Sequence, residues 1–325
     1  MKKNDRNTTE EFPLRVGIST CLLGEKVRFD AGHKRDRYLT DVLGAYMEWV
    51  PVCPEVEVGM GVPRESVRLV GSESAPHMVG TKSESDWTSR MNTYSLDRVR
   101  RLHDLKLSGY ILKSDSPSCG MERVKIYSKE GLPSRKGTGL FAKALMACYP
   151  HLPVEEEGRL NDASLRENFI ERVFCYHRLQ RDVLDQFTVG NLVRFHTVHK
   201  YLMLSHSPKH YDTLGRLVAR AKELPRSAVR ENYTKLFMEG LKEKATVKKH
   251  TNVLQHVLGF LKDVLTDLEK RSILETIEDY HREMVPLIVP VTLLRHYIVK
   301  RDVPWIRDQV YLHPHPKELM LRNHV

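Results

Sequence analysis

The chain has 325 residues, 41% of them hydrophobic, which is ample for two packed cores and makes two domains the expectation. A formal net charge of +10 suits a polyanionic partner, but the excess is spread over both halves, so neither end is a basic tail. Five cysteines, an odd number, behind an N-terminus without an apolar signal core point to a reducing cytoplasm and against a disulfide framework, and no apolar run approaches the roughly 20 residues of a membrane span.

Residues 1–13 read as a disordered polar lead-in. From Leu14 short apolar strands alternate with helical segments, the habit of a Rossmann-like parallel sheet with crossover helices, so 14–157 is expected to be an α/β domain. Arg15 to Ile18 forms a strand that runs into a loop around Cys21. A basic connector follows, in which His33, Lys34, Arg35 and Arg37 are candidates to hold phosphate or form a solvated charge cluster, and then a helical stretch from Tyr38 to Met47. Trp49 to Val52 is the next strand and leads into Cys53-Pro54-Glu55.

Glu55 to Glu84, rich in Gly, Pro and Ser and carrying Arg64 and Arg68, reads as a long excursion over the site, with room for a hairpin. Ser95 is a candidate N-cap for a helix with Leu96, Val99, Leu102 and Leu105 on one face, ended by Gly109. Tyr110 to Leu112 is a buried strand that stops at Lys113-Ser-Asp-Ser-Pro-Ser-Cys-Gly120, where Ser114, Ser116, Pro117 and Gly120 force a turn around Cys119. A strand at Lys125 to Tyr127, a turn at Gly131 and a helix from Gly139 to Tyr149 complete the domain. Cys148 falls at the spacing of Leu140 and Ala144 and is expected in its core.

Pro150 to Gly158 is the seam, beyond which the period becomes helical throughout. Residues 158–325 are expected to be all-α, with helices over 165–184, 190–204, 211–222, 230–243, 251–269, 272–284 and 290–300 and a turn-rich tail from Tyr311. His196 with His199, and His206 with His210, have no carboxylate or cysteine at a ligand spacing, which favours surface or packing roles. Cys175, mid-helix, is read as structural.

In an open α/β sheet ligands gather at the carboxyl ends of strands, so Cys21, Cys53 and Cys119 could meet at one point. Their wide spacing leaves zinc ligands, a thiol nucleophile, iron–sulfur ligands and buried structural thiols all open. Glu55, behind a proline two residues after Cys53, suits a general acid or base, and its bland reading is a surface carboxylate. Ser114, Ser116 and Ser118 can hydrogen-bond a substrate or satisfy loop amides.

Ile18-Ser-Thr-Cys-Leu-Leu-Gly24 with Val27-Arg-Phe-Asp30 and His33-Lys-Arg35, Pro51-Val-Cys-Pro-Glu55, Pro63-Arg64 with Val67-Arg-Leu-Val-Gly71, and Lys113 to Gly120 together resemble the thiouracil desulfidase family over about Leu14 to Pro150. Gly190 to Lys200, Lys209-His-Tyr211 and Pro286 to Arg295 resemble a helical domain of unknown function often fused to it, and such fusions resemble bacterial desulfidases acting on 4-thiouridine in transfer RNA. The resemblance implies a [4Fe–4S] cluster held by Cys21, Cys53 and Cys119 with one iron open as a Lewis acid, Glu55 activating water, and Ser116 hydrogen-bonding the ring or the sulfur. Arg28, His33, Lys34, Arg64, Arg68, Lys113, Ser114, Asp115 and Ser118 are the candidate substrate contacts. Arg194, Lys200, Lys242, Lys244, Lys248 and Lys249 are the candidate RNA contacts of the helical half. The expected partner is thiolated transfer RNA or a free thionucleotide, in the cytoplasm and without a membrane. A nucleic-acid-binding redox sensor and a cysteine or zinc hydrolase are the rival readings.

Overall fold

The computed structural model describes residues 13–128 and 133–324, so the expected lead-in and the Gly131 turn lie outside the described residues. The chain divides into two compact units between Cys148 and Tyr149, just before the proline-rich seam. The first runs β1 (Arg15–Ser19), β2 (Glu48–Val52), α1 (Pro54–Glu57), β3 (Val67–Gly71), β4 (Pro76–Gly80), α2 (Thr88–Leu102), β5 (Gly109–Leu112), β6 (Val124–Tyr127), β7 (Pro133–Gly137) and α3 (Leu140–Cys148).

β1 lies between β2 and β5 and is parallel to both, with Ser19 opposite Val52 and Ile18 opposite Ile111. Val16, Ile18, Ile111 and Leu112 are fully buried, as expected of strands covered on both faces. At Gly17 the strands pack so closely that a Cβ would stand 2.2 Å from the Tyr110 ring. In this register all three strands end at one edge, and the three cysteine loops leave from it.

The expected hairpin is present as β3 and β4, but it belongs to a second, mixed sheet of order β4–β3–β6–β7 that the sequence pattern did not reveal. Its strands are only four or five residues long and carry Arg68, Lys125, Arg135 and Lys136, so their alternation is weak against the surrounding loops.

Two helix assignments change in this unit. α2 begins at Thr88, not at Ser95, which lies buried inside it on the face of Met91, Val99 and Leu102, while Leu96 points to solvent. Buried packing overrides the capping preference of an isolated serine. The helix is closed by Lys106 in the left-handed region (φ 49°), and Gly109 instead opens β5. Tyr38 to Met47 is a π turn followed by a 3₁₀ turn in place of a regular helix.

The second unit carries β8 (Val154–Glu156) and then α4 (Ala163–Leu179), α5 (Val189–His206), α6 (Pro208–Ala219), α7 (Arg226–Lys242), α8 (Val247–Gly259), α9 (Asp267–His281), α10 (Ile288–Lys300) and the short α11 (Pro304–Arg307). The expected helix over 251–269 ends at Gly259. A capping box, in which Thr266 and Glu269 bond each other's backbone amides, starts α9 afresh. Phe195, Leu202, Tyr233, Phe237, Leu254 and Leu294 belong to one continuous core, which also takes in the fully buried Cys175.

Across that core runs a buried ion network. Arg322 donates to Glu171 at 2.7 Å and to Glu167 at 3.3 Å, and His206 Nε2 meets the second Glu171 oxygen at 3.1 Å. Burial works to raise the Glu171 carboxyl, yet Arg322 and His206 together hold it well below the usual carboxylate range. A depressed carboxyl stabilises the fold above its unfolded value of about 4.3, and that contribution is lost as pH falls through the folded value. Glu171→Ala leaves Arg322 and His206 buried without their shared partner. It is expected to cost about 3–5 kcal/mol near pH 7, with the gap to the wild type shrinking toward pH 3, as measured by thermal melts across that range.

Candidate active site

Each cysteine is set by the turn that follows its strand. Cys21 sits in a 3₁₀ turn (Thr20–Leu23) closed by Gly24 at φ 97°, and its carbonyl accepts from the amides of Gly24 and Lys34. Cys53 directly precedes Pro54, which opens α1, and its amide donates to Glu57 at 3.0 Å. Glu57 is in turn held by the Tyr94 hydroxyl at 2.8 Å and by Arg98 at 3.1 Å. Around Cys119, Ser116 Oγ accepts from the amides of Ser118 and Cys119 at 3.3 and 3.1 Å. The carbonyls of Pro117 and Ser118 then accept from the free amides at the start of α3. Gly139 is required there, because a Cβ would lie 2.5 Å from the Ser118 carbonyl.

The three loops enclose a cavity of about 360 Å³ lined by Cys21, Cys53, Cys119, Glu55, Ser116 and Ser118. Glu55 accepts from Ser118 Oγ at 2.8 Å through one oxygen and from Arg64 Nη2 at 2.6 Å through the other. The remaining Arg64 donors go to Glu55 again and to the carbonyls of Val27 and Gly61, and its side chain is 6% exposed. The guanidinium read as a candidate substrate contact lines the cavity and clamps the carboxylate.

Burial pushes the Cys119 thiol up to about 12, against hydrogen bonds from Ser19 and Ser118 that work to lower it, and burial also raises Cys53. Thiols held this high are poor free nucleophiles near pH 7, whereas a bound metal takes up their charge. Among the described residues the one group of ligand atoms within 4.8 Å of one another is Glu167, Glu171 and His315, where Arg322 already supplies positive charge. The three cysteine sulfurs are thus spread wider than a single tetrahedral zinc requires, since Zn–S bonds of about 2.3 Å put the sulfurs about 3.8 Å apart. A group larger than one ion, with sulfur-liganded metal at several corners, fits this donor set.

Arg28, Lys34, Lys113, Ser114 and Asp115 also line the cavity. His33 and Arg68 do not. The His33 ring accepts from the Arg35 amide on the exposed connector, and Arg68 lies over the Tyr127 ring on the second sheet. Ser19 and Glu57 were missed by sequence reasoning. Ser19 Oγ accepts from the Lys113 amide at 2.9 Å and bonds the Cys119 thiol, tying β1 to the third loop. Its position two residues before Cys21 was the available signal.

In the helical unit, Lys242, Lys244 and Lys248 are exposed, whereas Lys249 is spent on the carbonyls of His206, at the end of α5, and of Lys244, just after α7. Lys200 lies over the rings of Tyr201 and Trp305, and Arg194 sits in a separate cleft beside Asp182 and Asp185. His206, expected to lack a carboxylate, has Glu171 from another helix.

A family model described as 2-thiouracil desulfurase matches residues 16–157, and one described as a protein of unknown function (DUF1722) matches residues 200–316. The uncharacterized protein YbgA of Escherichia coli (strain K12) is 29% identical over 153 residues, 47% of this chain and 90% of its own length. The uncharacterized protein YbbK of Bacillus subtilis (strain 168) is 28% identical over 153 residues, 45% of this chain and 97% of its own length. A solved structure titled as the [4Fe-4S]-dependent thiouracil desulfidase TudS is 29% identical, covering 46% of this chain and 94% of that one with a TM-score of 0.37.

The burial pattern separates the two remaining cysteines. α3 buries Phe141, Ala142 and Leu145, which turns Cys148 outward, contrary to its expected place in the core. Iodoacetamide should alkylate Cys148 in the native chain and Cys175 only after denaturation, as read by peptide mass spectrometry.

Proposed function

We propose that this chain, an enzyme whose residues 16–157 belong to the 2-thiouracil desulfurase family, hydrolyses the thiocarbonyl of a thiolated pyrimidine with the help of a [4Fe–4S] cluster held by Cys21, Cys53 and Cys119. The substrate we favour is 4-thiouridine, in transfer RNA or as the free nucleotide. The observation that carries the reading is the convergence of three thiols and one clamped carboxylate on a single cavity. When bound, such a cluster supplies an iron without a protein ligand that polarises the thiocarbonyl sulfur.

The chain's own residues then divide the remaining work. Glu55 is fixed at both oxygens, so its carboxylate faces the cavity in one orientation and can take a proton from a water attacking the ring carbon. Ser118 spends its hydroxyl proton on Glu55, which leaves Ser116, 2.9 Å away, with a proton to offer either Ser118 or the substrate ring. Lys34, Arg28 and Lys113 at the cavity wall suit the phosphate of a nucleotide. Oxygen replaces sulfur with no net electron transfer, so turnover needs no reductant. The raised Cys119 thiol counts against a cysteine hydrolase.

Sulfide release from thiouracil and 4-thiouridine by the anaerobically purified chain tests the activity itself, and a chain that binds iron and RNA but releases no sulfide would be a sensor. Replacing Cys21, Cys53 or Cys119 with Ala should abolish iron incorporation, while Cys148→Ala and Cys175→Ala keep it, by iron analysis. Equal loss in Cys148→Ala would mean a fourth protein ligand. Glu55→Gln should retain iron and lose about 10²–10⁴ in turnover.

A further inference from the structure

A cleft of about 1230 Å³, larger than the cysteine site, lies in the helical unit between α10 and the C-terminal tail. That volume exceeds the roughly 300–1,000 Å³ of ordinary small-molecule sites, so a polymer segment suits it better than a single compact ligand.

The tail that forms one wall is pinned, not draped. Arg322 donates to the Tyr311 carbonyl at 2.6 Å, Arg178 donates to the Pro314 carbonyl at 2.6 Å, and the Arg322 carbonyl accepts from the Ile288 amide at 3.1 Å. The cleft is therefore part of the packed unit.

Its lining is one-signed. Arg295, Lys300, Arg307, Lys317 and Arg322 face a single acidic lining residue, Glu318, with His296, His313 and His315 between them. Lys300 shares Glu269 with Arg301, Arg307 lies beside Asp302 and Asp308, and Arg322 pairs with Glu171 and Glu167. Arg295 and Lys317 have no carboxylate within ion-pair distance among the described residues, so theirs is the charge left for a ligand. His315 Nε2 is buried and unpaired. Burial holds His313 below the usual imidazole range, and the charges of Arg295 and Arg322 add to the effect, as expected in a positive field. Val299 and Met320, 67% and 66% exposed, supply apolar surface beside these charges.

We propose that this cleft binds a single-stranded RNA segment, with Arg295 and Lys317 on phosphates and the imidazole and apolar surfaces against bases. Guanidinium and imidazole planes next to apolar surface suit stacked bases, and an acidic peptide would leave the imidazole and apolar surface unused. The inference rests on the RNA half of the function proposed above and not on the desulfidase half. It moves the RNA grip from the lysines around Lys244 to the α10 edge.

The test uses the full chain with a fluorescent oligouridylate and an unthiolated transfer RNA transcript, titrated across a salt series. Lys317→Glu, at an exposed position, and Arg295→Gln should each weaken binding several-fold. Each should also lower the log–log salt slope by about 0.7 per lost phosphate contact. Sulfide release from free thiouracil should not change in Lys317→Glu, so failure of the cleft and failure of the chemistry are read separately. Should Arg295→Gln not fold, Lys317→Glu decides alone. Unchanged affinity and slope in Lys317→Glu would overturn the proposal, as would displacement of the oligouridylate by polyglutamate as readily as by unlabelled RNA.

Discussion

The buried guanidinium of Arg64 is the constraint on which the candidate active site depends. It reaches Glu55 on α1, Gly61 farther along the same connection after β2, and Val27 in the connector after β1, so two separate connections meet on one planar fork. A carboxylate as enclosed as Glu55, 14% exposed, is costly without such a partner. The pair fixes the orientation of the carboxylate. Ser118 on the other oxygen brings in the third loop.

That third loop is held by backbone chemistry as much as by side chains. The first amides of α3, which no intrahelical carbonyl can satisfy, take the carbonyls of Pro117 and Ser118 instead. Helix and loop thereby solve each other's hydrogen-bond deficit. Cys119 is left buried among few polar groups, Ser19 and Ser118 chief among them. Loss of water raises the thiol and makes a metal the favoured way to discharge its proton.

The helical unit answers a different demand. Glu171, Arg322 and His206 come from α4, the C-terminal tail and α5, and their mutual bonds fix where the tail returns to the core. Since the tail is one wall of the basic cleft, this network also shapes the cleft. Two of the six lysine and arginine candidates in this half, Lys249 and Lys200, are occupied, one by a helix end and one by aromatic rings. Counting cations along a sequence does not distinguish a free charge from a spent one.

Local rules carried the sequence reading a long way. Short apolar runs stopped by Gly, Pro and Ser marked β1, β2 and β5 and the cysteine loops after them, and the change to helical period after Pro150 marked the second unit. The motifs also carried the resemblance to the family whose model matches residues 16–157, because each is a contiguous turn whose chemistry is written in neighbouring residues. What these rules could not decide were contacts made across the fold: Arg64 on Glu55, Ser19 on Cys119, Glu171 on His206, and the outward face of Cys148. The second sheet and the early start of α2 belong with them. Periodicity and turn propensity act over a few residues, whereas burial, ion pairing and the direction of a helix face are set by whichever distant segment packs there. The sequence marked most of the elements and the candidate site residues, and the tertiary structure decided which of them meet.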